Sequence, residues 1–232
     1  MDDMKTAKDI FMEIYERLLA RYGPRKWWPV TPDGETRPRY TGGPGNERQR
    51  FEVAVGAVLT QNTAWKNAAK AIEMLNKEAL MSPERLSRVD AERLAGLIRS
   101  AGYFNQKAKR LVSLARFFMK TKKIDRDNLL SVNGIGPETA DSILLYGFGL
   151  PYFVIDAYTR RIFGRIGIVD PAASYDEIQS KFERRIPGNV HLYQEYHALI
   201  VEHGKGVCRA KPLCQECVLS DVCNASADMK KG

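Results

Sequence analysis

The sequence predicts an all-α protein. Three observations carry this reading. Apolar residues recur at helical spacing from the first twenty positions onward, helix-starting caps follow one another closely from Asn46 to Ser174, and no segment alternates apolar and polar residues between hairpin turns. At 232 residues and 44% hydrophobic content, the chain can bury a full core as one large or two modest domains. It contains no run of about 18 apolar residues, and Met1-Asp-Asp-Met-Lys lacks the basic-then-apolar layout of a secretory signal. A soluble protein of the cell interior, without a membrane partner, is expected.

Each element has its own justification. Ile10, Phe11, Ile14, Leu18 and Leu19 make residues 5–21 an amphipathic helix. From Gly23 to Gly45 five prolines and five glycines surround Trp27 and Trp28, which predicts a long irregular loop with aromatic anchors. Asn46 caps a helix running through Phe51, Val55 and Val58, and Thr63 caps the next, through Ile72 and Leu75. Ser82-Pro83-Glu84 and Asp90-Ala-Glu-Arg start two short helices, the second stopped by Gly102, and residues 105–119 give another. Segments 125–132 and 137–146 flank Gly134-Ile-Gly136 as a helix-hairpin-helix. Asp156 caps a helix through Ile166, and Ser174-Tyr-Asp-Glu177 is a capping box for its successor. A last long helix, about 190–203, leads into a cysteine-rich tail, and the final Met229-Lys-Lys-Gly reads as a frayed end.

The glycine hairpin carries the first functional signal. Gly134 and Gly136, one residue apart between two helices, make a tight turn whose amide hydrogens point outward, suited to holding a phosphate of a nucleic-acid backbone. A net charge of +8 fits such a partner, because lysines and arginines that displace counterions supply non-specific DNA affinity. The clusters Lys107, Lys109, Arg110 and Arg160, Arg161, Arg165 are the candidate contacts. The run Lys120, Lys122, Lys123 reads as a solvated helix face.

Cys208, Cys214, Cys217 and Cys223 form C-x5-C-x2-C-x5-C within sixteen positions. Thiols kept reduced inside a cell and brought this close point to metal rather than disulfides. A [4Fe–4S] cluster and zinc both accept four thiolates. With only one C-x2-C knuckle, the spacing favours iron–sulfur, with zinc as the alternative. Four protein ligands leave no open position, so the group is expected to be structural.

Together, Leu59-Thr-Gln-Asn-Thr63, Gly102-Tyr-Phe-Asn-Gln-Lys-Ala108, Gly134-Ile-Gly-Pro-Glu-Thr-Ala140, Val154-Ile-Asp156, His203-Gly-Lys205 and the cysteine tail resemble, in order, the helix-hairpin-helix DNA glycosylases of the endonuclease III superfamily. The resemblance implies two helical domains flanking a DNA-binding cleft. One is a helical barrel over residues 46–152. The other is an iron–sulfur domain over 153–232, with residues 1–45, the N-terminal helix and aromatic loop, packing against it. It implies a monomer acting on double-stranded DNA with a damaged base, in the cytoplasm and at the nucleoid.

Bifunctional members of that superfamily carry lysine where this chain has Glu138. A Schiff-base mechanism needs an amine, so a monofunctional enzyme without lyase activity is expected. The adenine-specific branch places a glutamate where Gly56, Ala57 and Val58 stand here. Trp27-Trp28-Pro29, Phe51-Glu and Gly56-Ala-Val-Leu-Thr-Gln-Asn-Thr63 resemble the endonuclease III-like 3-methyladenine DNA glycosylases, although familiar members of that group lack the cysteines this chain keeps.

The expected chemistry is hydrolysis of the N-glycosidic bond of alkylated purines. Asp156 would stabilise the sugar cation and direct the attacking water. Trp28 and Phe51 would sandwich the flipped base, Pro29 would wall it, Glu138 would accept its exocyclic amine, and Trp27 and Lys211 would edge the pocket. Gln61 would enter the duplex, Tyr103 or Phe104 would wedge beside the orphaned base, and Lys107 would support the phosphate held by Gly134 and Gly136. Duller roles stand beside these. Asp156 is also a helix cap, Phe51 suits a core, one tryptophan can anchor the loop, Glu138 favours the helix dipole, and loop-tip aromatics also cover cores. The alternatives are a glycosylase for hypoxanthine, uracil or an oxidised base, and a DNA-structure-binding protein without catalysis.

Overall fold

The computed structural model describes residues 2–121 and 123–229, with side chains from Ile10 to Ser226 apart from Lys122. Lys122 of the basic run and Lys230–Gly232 of the tail lie outside the described residues. The chain divides into two compact units, residues 1–25 with 151–232, and residues 26–150. Among the described residues the structure is helical, and its one β-bridge, Val30 with Arg39, lies inside the aromatic loop.

The middle unit begins with that loop. The N-terminal helix α1 (Asp2–Tyr22) belongs to the other unit, and after the loop the middle unit continues through α2 (Glu47–Leu59), α3 (Trp65–Lys77), α4 (Pro83–Leu86), α5 (Ala91–Leu97), α6 (Phe104–Lys120), α7 (Arg126–Leu130) and α8 (Pro137–Ser142). Every residue of α2 from Phe51 to Leu59 is buried, which makes it the central helix, packed by α3, α6, α8 and the π-helical turn Ile143–Gly147.

The aromatic loop, expected to pack with the C-terminal domain, groups instead with this unit from Lys26 onward. The reason is Glu52, fully buried on α2. Its carboxylate accepts the Thr31 N–H at 2.7 Å, the Thr31 hydroxyl at 2.9 Å and the Asn76 amide at 3.3 Å, with Arg48 at 3.3 Å. Burial pushes the Glu52 carboxyl upward against the pull of these partners.

Caps behave largely as the sequence implies. Asn46, Ser82, Asp90, Asp125, Asp156 and Ser174 each accept a first-turn amide, and Ser174 with Glu177 forms the full capping box. Thr63 does not cap α3. Ala64 precedes that helix without a side-chain cap, and the Thr63 hydroxyl donates instead to the Ala101 carbonyl while accepting from Lys107.

The other unit gathers α1, α9 (Ala157–Ile166), α10 (Tyr175–Arg185), α11 (Val190–Gly206) and α12 (Asn224–Met229). Its core is aromatic. Phe182 lies 4.9 Å from Phe11, 4.4 Å from Phe153 and 4.6 Å from Phe163 between ring centroids, and Tyr196 donates its hydroxyl to the Phe11 carbonyl at 2.7 Å. The helices α9 and α11 meet closely because position 204 is glycine: a Cβ there would stand 2.4 Å from the Tyr158 ring.

Candidate nucleic-acid interface and catalytic acid

The hairpin between α7 and α8 is braced from both sides. Arg126 on α7 pairs with the buried Asp141 on α8 through two contacts, at 2.8 and 3.2 Å. Gly134 takes a φ of +84°, and a Cβ there would lie 2.5 Å from the Arg110 guanidinium, so both backbone and space demand glycine. Ile135 donates back to Val132 at 3.0 Å, whereas the amides of Gly134 and Gly136 meet no protein acceptor among the described residues. Gly136 is exposed. Two amides so placed are suited to a phosphate oxygen.

Gln61, expected to enter the duplex, is committed to this brace. Its amide donates to the Gly134 carbonyl at 3.1 Å and the Thr139 hydroxyl at 2.9 Å, and its carbonyl accepts from Arg110 at 2.5 Å. Lys107, expected at a phosphate, is buried. Its ammonium donates to the Leu59 carbonyl, the Thr63 hydroxyl and the Ala101 carbonyl, all at 2.8–2.9 Å, and burial, helped by Arg110, pushes its pKa down to about 8. The carbonyls at the end of α2 and the turn before Gly102 draw it inward, where it staples the two loops together. Tyr103 is exposed at 67% in a left-handed conformation at the tip after Gly102, and Phe104 is half-buried beneath the Arg99 guanidinium.

The expected base sandwich is not formed. Phe51 is 2% exposed and packs edge-on against Phe118 at 5.3 Å. Trp28 is 4% exposed and packs against Trp27, Trp65 and Tyr146, its indole reaching 3.2 Å from where a Cβ on Gly56 would sit. Both are core residues, and Trp28 anchors the loop. Pro29 is buried beside it. The Trp28 indole N–H has no hydrogen-bond partner among the described residues.

What this aromatic group offers to solvent is Trp27, half-buried, with Tyr40 at 6.0 Å and 56% exposed. Tyr40, Trp65 and Tyr146 went unmarked in the sequence. Trp65 stands two residues after Thr63, at the end of the Leu59–Thr63 segment, which is the one local hint. Glu138 stands exposed on the first turn of α8.

Asp156 belongs to the other unit. It caps α9, its Oδ1 accepting the Thr159 N–H at 2.7 Å and the Thr159 hydroxyl at 2.9 Å. Its Oδ2 lies 3.6 Å from Nε2 of His197 on α11. Burial pushes the Asp156 carboxyl up, but His197 and Thr159 together outweigh it and hold the group below the usual carboxylate range. His197 was not singled out in the sequence; its only signal is a polar residue among the buried Tyr193, Tyr196, Leu199 and Ile200 of α11.

All four cysteines border one cavity, with Arg165, Pro212 and Leu213 in its wall. The Leu219 N–H and an Arg165 N–H point at the sulfurs of Cys217 and Cys208, at 3.4 and 3.3 Å. Burial and the three neighbouring thiols push the Cys217 thiol up, against the Leu219 hydrogen bond. Among the described residues no three His, Cys, Asp or Glu side chains come close enough to hold a single metal ion. His203 sits behind the tail, with Tyr22 at 2.9 Å and the Cys217 sulfur at 3.4 Å, and burial lowers its pKa to about 4. Lys211 is exposed on the loop whose Arg209 and Ala210 carbonyls accept from Arg165.

No helix among the described residues is long and apolar enough to cross a membrane. The family model described as HhH-GPD superfamily base excision DNA repair protein matches residues 55–188. The chain is similar to a Methanocaldococcus jannaschii protein provisionally named a DNA repair glycosylase, with 44% identity over 234 residues, 95% of this chain and 99% of that one. It is 32% identical to endonuclease III of Sulfolobus acidocaldarius over 193 residues, 79% of this chain and 86% of that protein. Among solved structures, that of the H. pylori 3-methyladenine DNA glycosylase bound to 1,N6-ethenoadenine matches with a TM-score of 0.65 and 27% identity, over 88% of this chain and 96% of that one.

Proposed function

Because the chain belongs to the HhH-GPD superfamily of base excision DNA repair proteins, as a DNA glycosylase of the endonuclease III family, we propose that it is a monofunctional enzyme for alkylated purines. It hydrolyses the N-glycosidic bond, with 3-methyladenine the foremost substrate, and leaves an abasic site. The observation that carries this reading is the buried Asp156 carboxylate held at the start of α9, together with a carboxylate, Glu138, opening α8 where a Schiff-base enzyme needs an amine. An alkylated purine is already cationic, so its bond breaks without a proton donor. The base departs as a neutral molecule with the bonding electrons, and the enzyme must stabilise the sugar cation and deliver water. A fixed anion whose Oδ2 accepts no protein hydrogen bond among the described residues does both, the water proton passing to that oxygen.

Similarity to the H. pylori 3-methyladenine glycosylase supports the substrate class. With Phe51 and Trp28 in the core, stacking falls to Trp27 and its exposed neighbour Tyr40, and Glu138 accepts the exocyclic amine. Released base measured from duplexes carrying methylated purines, hypoxanthine, uracil or thymine glycol tests this. Release of 3-methyladenine in preference to the neutral bases is expected. Preference for a neutral base would replace the substrate assignment, and binding without release of any would leave a DNA-structure-binding protein.

The four cysteines suit a [4Fe–4S] cluster: all four line one cavity, the sulfurs of Cys208 and Cys217 receive N–H groups, and such a cluster would tie the tail to α9 as a structural element. Iron and acid-labile sulfide are expected in the purified protein; zinc alone would overturn the assignment. Work as a monomer on chromosomal DNA in the cytoplasm completes the reading.

A further inference from the structure

The two oxygens of Asp156 have different surroundings. Oδ1 is spent on the Thr159 amide and hydroxyl that start α9. Oδ2 is the oxygen left for chemistry, and His197 Nε2 stands 3.6 Å from it. The histidine comes from the middle of α11, which packs along α9 within the same unit, and the close approach at Gly204 and Tyr158 fixes the spacing of the two helices. Both side chains are nearly out of water, Asp156 at 11% and His197 at 9% exposed, so the contact acts at low dielectric.

We propose that His197 is a positioning residue for the Asp156 carboxylate, its buried imidazole beside Oδ2 setting the orientation of that oxygen toward the sugar cation and the attacking water. The proposal rests on the reading of Asp156 as the reaction's acid group and adds its second anchor. A carboxylate free to rotate about its Cβ–Cγ bond would have to be reoriented as positive charge develops at the sugar. Held at Oδ1 by Thr159, with the His197 ring packed 3.6 Å from Oδ2, beyond hydrogen-bond length, it is already oriented, which is how a preorganised charge lowers a barrier. The same contact keeps the buried acid ionised: without it, desolvation favours the protonated form, which neither stabilises a cation nor accepts a proton.

The test uses the full chain with its native metal content and methylated duplex DNA as the probe. Excision of 3-methyladenine is followed in single turnover, with duplex affinity and thermal melting measured alongside. His197→Leu is expected to lower the excision rate by about 10–100-fold, the range for groups that orient a ligand from behind, with duplex affinity unchanged. His197→Gln, which restores an N–H donor, is expected to recover most of the rate. In carbon-13 titrations the Asp156 carboxyl is expected to titrate at higher pH in His197→Leu than in the wild type. Should the leucine variant not fold, His197→Asn, too short to reach Oδ2, carries the same expectations. A dead Asp156→Asn beside a fully active His197→Leu would overturn this proposal alone. An active Asp156→Asn would bring down the reading of Asp156, and the proposal with it.

Discussion

Asp156→Asn is expected to slow release of alkylated base by at least about 10²–10³-fold while duplex affinity and melting temperature stay near those of the wild type. The separation follows from the two duties of this side chain. Asparagine is as good a helix cap as aspartate, and its Oδ1 still accepts the Thr159 amide that aspartate holds at 2.7 Å, so α9 begins at the same residue. What is lost is the negative charge that the proposed mechanism sets against the sugar cation. Asp156→Ala removes the cap as well, and is expected to cost about 0.5–2 kcal/mol of stability in addition. Single-turnover excision and thermal melting on the three proteins check this. Wild-type turnover in the asparagine variant would confine Asp156 to capping.

Phe51→Ala is expected to cost about 3–5 kcal/mol of stability, because it empties the volume of a ring that is 2% exposed and packed edge-on to Phe118. Phe51→Leu refills most of that volume. It is expected to excise methylated purines at the wild-type rate per folded molecule, since this ring lies in the core. Urea unfolding paired with single-turnover excision measures both quantities. A leucine variant that unfolds like the wild type but loses its preference for cationic bases would return Phe51 to the substrate pocket.

The parts of this molecule that the sequence made legible are those set by neighbours along the chain. Asn46, Asp156 and Ser174 announce their helices because a cap and the amide it binds are three residues apart. Gly134 announces the hairpin because only glycine accepts its backbone angle without penalty.

What the sequence does not show is where a side chain is claimed by a distant partner. Lys107 reads as a surface cation until three acceptors, on α2, the following turn and the turn before Gly102, meet at its ammonium. Gln61 reads as a probe for the duplex until Arg110 and Thr139 take both ends of its amide. Phe51 lies on a helix buried on every face, so periodicity does not distinguish a core face from a pocket face. The grouping of the aromatic loop with the middle unit is hidden for the same reason: Glu52 and Asn76, which hold Thr31, lie 21 and 45 residues beyond it.

The most direct measurement is strand integrity during excision. Wild-type protein is incubated with methylated duplex DNA in the presence of borohydride, and released base, strand breaks and protein–DNA adducts are read together. Free 3-methyladenine with an unbroken strand and no trapped adduct is the predicted result. A borohydride-trapped adduct with strand cleavage would show an amine at work and contradict hydrolysis directed by the Asp156 carboxylate.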